Sequence, residues 1–147
     1  ISQLRPPVLD AAGLDGALRD TIHLIRTVTG ASITDDLDAP SESLTDAERT
    51  VVLRIAQEAL QNVRKHAGAA SVSVRTRLDR GAWILEVTDD GSGFDVEEVA
   101  ARGRRNFGLQ FMRERADLIG ARFDVRSRPG DGTVVRLAIP TRAQTGA

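Results

Sequence analysis

Trp83-Ile84-Leu85-Glu86-Val87 reads as a β-strand, and it breaks off in an acidic turn spaced by glycines, Thr88-Asp89-Asp90-Gly91-Ser92-Gly93-Phe94. Glycines at 91 and 93 allow positive φ and let another group approach the backbone with no Cβ in the way. Asp89, at the end of the strand, is the strongest candidate for chemistry. A carboxylate fixed there accepts a hydrogen bond from an exocyclic amino group and repels a carbonyl at the same spot. Leaving a buried charge unpaired costs about 1–3 kcal/mol or more, so such a site prefers adenine to guanine. Taken alone, the stretch also reads as a plain loop with solvated acids. A calcium loop of the EF-hand kind does not fit, because Gly91 and Gly93 stand where ligands are needed.

The flanking sequence supplies helices and more strands. Leu18, Ile22 and Ile25 recur at helical spacing between Asp15 and Val28, with Gly30 as a stop, and residues 31–37 read as a short strand before the loop DAPSES. Thr45 and Glu48 have the spacing of a capping box, and the helix they open is expected to run to Gly68, with basic Lys65 and His66 at its end. At about 100° per residue, Val52, Ile55, Ala59 and Val63 form one apolar stripe. Gln57, Gln61 and Arg64 fall opposite it. Glu58 and Asn62 border the stripe one turn apart, as a candidate ion site or as ordinary surface polarity. Residues 71–78 and 82–87 form a predicted hairpin through Asp79-Arg80-Gly81.

Residues 95–107 show little apolar periodicity and carry Arg102, Arg104 and Arg105. A loop of that length in a compact domain is uncommon unless functional, typically as a lid, and its arginines either meet phosphates or are simply solvated. Gly108-Leu109 opens a further helix to Leu118, where a glycine start exposes N–H groups to an anion. Strands over 121–126 and 133–139 flank the turn Arg128-Pro129-Gly130-Asp131-Gly132, and Pro140 is expected to end the last.

Composition narrows the function. A chain of 147 residues that is 41% hydrophobic can build one sizeable core. With 20 basic and 21 acidic residues and 3% aromatics it lacks a nucleic-acid footprint, and with no cysteine it has neither disulfides nor thiolate metal sites. The sequence opens at Ile1 rather than methionine and is read as a piece of a longer protein.

Glu58…Asn62, Asp89-x-Gly91-x-Gly93, Gly108-Leu109 and Gly130-x-Gly132-Thr133 stand in one order, and together they are far more specific than any alone. The combination resembles the ATP-binding domain shared by sensor histidine kinases, DNA gyrase, the Hsp90 chaperone and the mismatch-repair protein MutL. Residues 57–67, QEALQNVRKHA, and Gly108-Leu109-x-x-Met112-Arg113-Glu114-Arg115-Ala116 are similar to the histidine-kinase branch of nitrate and membrane-fluidity sensors. The resemblance implies an α/β fold: a two-layer α/β sandwich of the Bergerat type, its mixed, mostly antiparallel sheet covered on one face by three helices. It spans residues 10–140, with 1–9 as the end of an upstream dimerisation helix or linker and 141–147 as a disordered tail.

The resemblance also implies roles. Asp89 holds the adenine amino group, helped by a water and Thr133, while Gly91 and Gly93 admit the nucleotide. Asn62 ligates Mg²⁺, Lys65 or His66 lies near the phosphates, and Gly108 and Leu109 bound the lid and present N–H groups. Glu58 corresponds to the glutamate that activates water in the ATPase branches. The implied function is the catalytic domain of a two-component histidine kinase, with ATP and Mg²⁺ as cofactors. It would act in the cytoplasm, within a homodimer that is either soluble or membrane-anchored. Its partners would be an upstream phospho-acceptor domain and a response regulator with a helix-turn-helix output, with no direct contact to nucleic acid. Two departures stand out: Asn106 replaces a glycine common before the second helix, and no histidine is followed by an acid, only His23 and His66 being present. The chain is therefore expected to bind ATP without phosphorylating itself. The alternatives are a hydrolytic ATPase with Glu58 as general base, and an interaction module that binds no nucleotide.

Overall fold

The computed structural model describes residues 11–103 and 106–141, so the expectations for 1–9 and for the tail beyond Thr141 lie outside the described residues. Helix α1, Ala11–Thr29, starts four residues before the predicted point because Leu14 continues the stripe of Leu18, Ile22 and Ile25, all buried. Strand β1, Ser32–Leu37, follows. Helix α2, Asp46–Asn62, opens on the predicted capping box: Thr45 N–H donates to Glu48 Oε1 at 2.8 Å and Glu48 N–H to Thr45 Oγ1 at 3.1 Å. Val52, Ile55, Ala59 and Val63 are all buried.

Two elements differ from expectation. The helix does not run unchanged to Gly68 but widens at Val63–Ala67 into a π-helical turn, a feature often found at functional sites. The stretch after Phe94 is not all loop, since Val96–Ala100 forms a short helix, α3, whose N–H of Glu98 is capped by the Asp95 side chain at 2.9 Å. One turn and a half is too short to show an apolar period, and the cap is what fixes it.

Strands β2, Ser71–Asp79, and β3, Ala82–Asp89, are joined by Arg80 and Gly81, both with positive φ (51° and 80°), as a two-residue hairpin requires. Helix α4, Leu109–Leu118, then leads to β4, Arg122–Ser127, and β5, Thr133–Pro140. Pro140 is thus the last residue of β5, not the one after it. It lies beyond Ala138, the last partner of β4, and pairs only with Ala82 of β3.

The sheet order is β1-β2-β3-β5-β4, antiparallel except for β1 against β2. Helices α1, α2 and α4 cover one face, and the core between the layers is built on Trp83, Leu85, Val87, Leu137, Ile55 and Met112. Trp83 is fully buried and donates its Nε1–H to the Pro40 carbonyl at 3.0 Å, satisfying its one polar atom. On the other face, strand register aligns Asp36, Arg75, Glu86, Arg136 and Asp124 in one row across all five strands. Their signs alternate, with Arg75 to Asp36 at 3.8 Å and Arg136 to Glu86 at 3.7 Å. Two layers suffice because this face is charged and needs no apolar cover. No helix of the described residues is long and apolar enough to cross a membrane.

Candidate functional site

A cavity of about 360 Å³ lies between the end of α2, the ends of β3 and β5, and the segment from Phe94 to Met112. Of the residues singled out from sequence, it brings together Asn62, His66, Asp89, Gly93, Leu109 and Thr133 as lining. Asp89 is at the last position of β3, buried, with Oδ1 accepting the Gly91 N–H at 2.8 Å. Burial pushes its carboxyl above the usual value, partly offset by that amide and reinforced by neighbouring Asp90. Asp90 itself is structural: its Oδ1 accepts the N–H groups of Ala70 and Ser71, both at 2.9 Å, and so anchors the start of β2.

Of the two glycines of the turn, Gly93 takes positive φ and lines the cavity, and both also make room for protein backbone. A Cβ at Gly91 would sit 2.5 Å from the Ala67 carbonyl oxygen, and one at Gly93, where φ is 65°, would collide with the Arg128 carbonyl. Both positions are reserved by protein backbone, before any ligand is considered. Ser92 ties the same joint, its N–H donating to Ala67 O at 2.8 Å and its hydroxyl to His66 O at 3.3 Å. The π turn at the end of α2 is what carries these carbonyls to the acidic turn.

Elsewhere in the lining, Asn62 Nδ2 donates to the Phe107 carbonyl at 2.6 Å. The amide oxygen is therefore the atom Asn62 has for a cation. Phe107 holds a left-handed backbone (φ 60°), which costs a bulky residue on the order of 1–2 kcal/mol. Its ring stacks on His66 with centroids 4.1 Å apart and meets Phe94 edge-on at 5.0 Å. Burial, and then the charge of Lys65, lower the His66 pKa and favour the neutral ring. The glycine replaced by Asn106 is not missed as a left-handed residue, because positive φ falls on Phe107 and Gly108 while Asn106 is buried.

Four predicted residues stand apart from the lining: Gly91, packed against Ala67, and Lys65, Gly108 and Glu58. Lys65 is exposed on the π turn. Gly108 caps α4, and a Cβ on it would fall 2.5 Å from Glu58 Oε2. Glu58 instead lines a separate hollow with Gln57, Gln61, Leu24 and Phe111, so Gln57 and Gln61 are half-buried rather than fully solvated. The Leu109 amide donates to Asn106 O at 3.1 Å, and offering it to an anion requires that turn to open. The sequence reading missed Phe94 and Phe107, although two of only four phenylalanines flanking the loop were a usable signal. Arg102, one of the arginines expected either to meet phosphates or to be solvated, lines the cavity and is paired to Glu98 at 2.7 Å.

The profile of the histidine kinase-, DNA gyrase B-, and HSP90-like ATPase family matches residues 47–143. The chain belongs to that family. Within the ATPase family it is 31% identical over 140 residues to DegS of Brevibacillus brevis, a signal transduction histidine-protein kinase/phosphatase, covering 95% of this chain and 36% of DegS. It is 33% identical to the oxygen sensor histidine kinase NreB of Staphylococcus carnosus over 139 residues, 94% of this chain and 39% of NreB. The chain thus spans little more than a third of these curated relatives. Among solved structures, the histidine kinase domain of an Erythrobacter litoralis blue-light activated kinase superposes with a TM-score of 0.71 at 23% identity, covering 97% of this chain and 68% of that one. The catalytic domain of the histidine kinase ThkA gives 0.69 at 17% identity, covering 87% and 92%. These two likenesses establish the shared fold: a mixed five-stranded sheet with helices on one face.

Proposed function

We propose that this chain is the ATP-binding catalytic domain of a two-component sensor histidine kinase, holding Mg·ATP for transfer of its γ-phosphoryl group to a histidine outside this sequence. The observation that carries the reading is one cavity lined by a buried carboxylate, Asp89, together with Asn62 and His66. Asp89 accepts from the base amino group. The donor set also suits Mg²⁺: Asn62 supplies one oxygen, its nitrogen being committed to Phe107, and Mg²⁺ takes its remaining ligands from phosphates and water. Among the described residues no cluster of three acidic or histidine side chains provides a metal cage of its own, so the cation arrives with the nucleotide. The ion offsets phosphate charge, and the chain's residues orient the nucleotide. Positioning of this kind is most of what phosphoryl transfer needs.

The partners on this reading are an upstream dimerisation and phospho-acceptor domain, which makes the full-length protein a homodimer, and a response regulator. Lys65 acts as a nearby positive charge rather than as a wall of the site. The position of Glu58, outside the lining and beneath Gly108, favours transfer over hydrolysis, since a general base must reach the attacking water. Calorimetric titration with ATP, with and without Mg²⁺, tests the reading, alongside Asn62→Ala and a phosphate-release assay. Expected are Mg²⁺-assisted binding that Asn62→Ala weakens and negligible hydrolysis. Absence of nucleotide binding, or steady turnover abolished by Glu58→Ala, overturns it.

A further inference from the structure

Ser127 does not line the cavity, yet its bonding decides what the cavity offers a ligand. Its Oγ accepts the Phe94 N–H at 2.8 Å, and lies 2.8 Å from the Gly132 carbonyl oxygen and 2.8 Å from Thr133 Oγ1. A serine hydroxyl has one hydrogen and two lone pairs. A carbonyl cannot donate, so the Ser127 hydrogen goes to Gly132. The contact with Thr133 then has one solution, in which the Thr133 hydroxyl donates to Ser127 Oγ. Phe94 N–H and Thr133 O–H fill the two lone pairs, and Ser127 is saturated.

Thr133 lines the cavity and is the register partner of Asp89 across β3 and β5. Paired residues on one sheet face have Cβ atoms about 4.5–5.5 Å apart, so both side chains reach the same ligand group. With its hydrogen turned to Ser127, Thr133 has only lone pairs to present. Beside it stands the Asp89 carboxylate, one oxygen of which already holds Gly91 N–H. This end of the cavity is made of acceptors.

We propose that Ser127 is a positioning residue for base selection: by holding the Thr133 hydrogen out of the cavity, it makes this end acceptor-only, matched to a 6-amino purine and closed to a 6-oxo purine. The inference rests on the reading that the Asp89 end receives the base, and deepens it. Without Ser127, the Thr133 hydroxyl rotates and donates to a 6-oxo oxygen, relieving part of the mismatch.

The test is calorimetric titration of the chain with ATP, inosine triphosphate and purine riboside triphosphate, which lacks a 6-substituent. Ser127→Ala is expected to lower the preference for ATP over inosine triphosphate by about 5- to 20-fold, while Ser127→Thr keeps it. A purely structural role weakens all three nucleotides by one factor and leaves the preference unmoved, and that result overturns the proposal. Because Ser127→Ala gives up three hydrogen bonds, Thr133→Val supplies a separate readout. It should weaken ATP about 3- to 10-fold more than purine riboside triphosphate, and equal losses overturn the proposal. If the wild type binds no nucleotide, or binds ATP and inosine triphosphate alike, the Asp89 reading itself fails. If the preference disappears in Asp89→Asn but survives in Ser127→Ala, only the role of Ser127 fails.

Discussion

Gly91→Ala tests the joint that holds the cavity together. Gly91 has an ordinary φ, so the added methyl brings no backbone strain, only crowding. Its Cβ would lie 2.5 Å from Ala67 O, 2.6 Å from Ala67 Cβ and 2.9 Å from Ala67 C, where ordinary contact begins at 3.4 Å. The acidic turn and the end of the π turn must part by close to an ångström, and the obstacle is backbone that cannot swing aside. The Ser92 N–H to Ala67 O bond, now 2.8 Å, then exceeds hydrogen-bonding length. Overpacking of this kind costs about 1–3 kcal/mol and the lost bond about 0.5–1.5 kcal/mol, together roughly 2–4 kcal/mol. For a chain of this size the melting temperature should fall by roughly 6–12 °C. The Gly91 N–H that orients Asp89 moves with the turn, so ATP affinity should drop by at least about tenfold. Differential scanning calorimetry and isothermal titration measure the two effects. An unchanged melting temperature with weakened ATP binding would refute the packing argument and return Gly91 to a role in ligand approach. No change in either would remove the joint from the account altogether.

Gly16→Ala is the opposite case: it lies inside α1 with nothing within 4 Å of an added Cβ, and should raise stability by about 0.5–1 kcal/mol in urea unfolding. Glu86→Ala removes the centre of the charged row, leaving Arg77 (3.4 Å) and Arg136 (3.7 Å) without their shared carboxylate. The loss should be about 1–2 kcal/mol with ATP binding intact, and a stability change under a few tenths would show the row to be idle. Asp89→Asn should weaken ATP binding roughly 10- to 100-fold, and should also stabilise the chain at neutral pH. The Asp89 carboxyl titrates above 3.8 in the fold, so its ionised form opposes folding, and that penalty disappears as pH falls through the folded pKa and is gone below 3.8. Unfolding free energies across pH 3–7 should therefore converge for mutant and wild type in acid, and parallel curves would contradict the burial argument.

Much of the fold was legible because it is written locally. The stripe of Val52, Ile55, Ala59 and Val63, the Thr45 and Glu48 capping box, and the hairpin through Arg80 and Gly81 depend on residues within a turn or two of each other. Asp89 stood out for the same reason, as an acid ending an apolar strand before glycines. The short helix α3 escaped notice because its stability comes from the Asp95 cap rather than from a period. The π turn escaped because what holds the Ala67 carbonyl is Ser92, twenty-five positions along the chain.

The sequence by itself determined most of the elements, their order, the family and the acid that ends β3, since periodicity, caps and turn chemistry act over a few residues. Only the tertiary structure decided that Glu58 faces Gly108 and a separate hollow while Asn62, one turn on, faces the cavity. The same is true of Gly91 and Gly93, which make room for Ala67 and Arg128, and of Ser127, which strand register sets beside Thr133. Each of these is a contact between segments far apart in the chain. Their partners are fixed by how strands pair and helices pack, and no local pattern of residues encodes that choice.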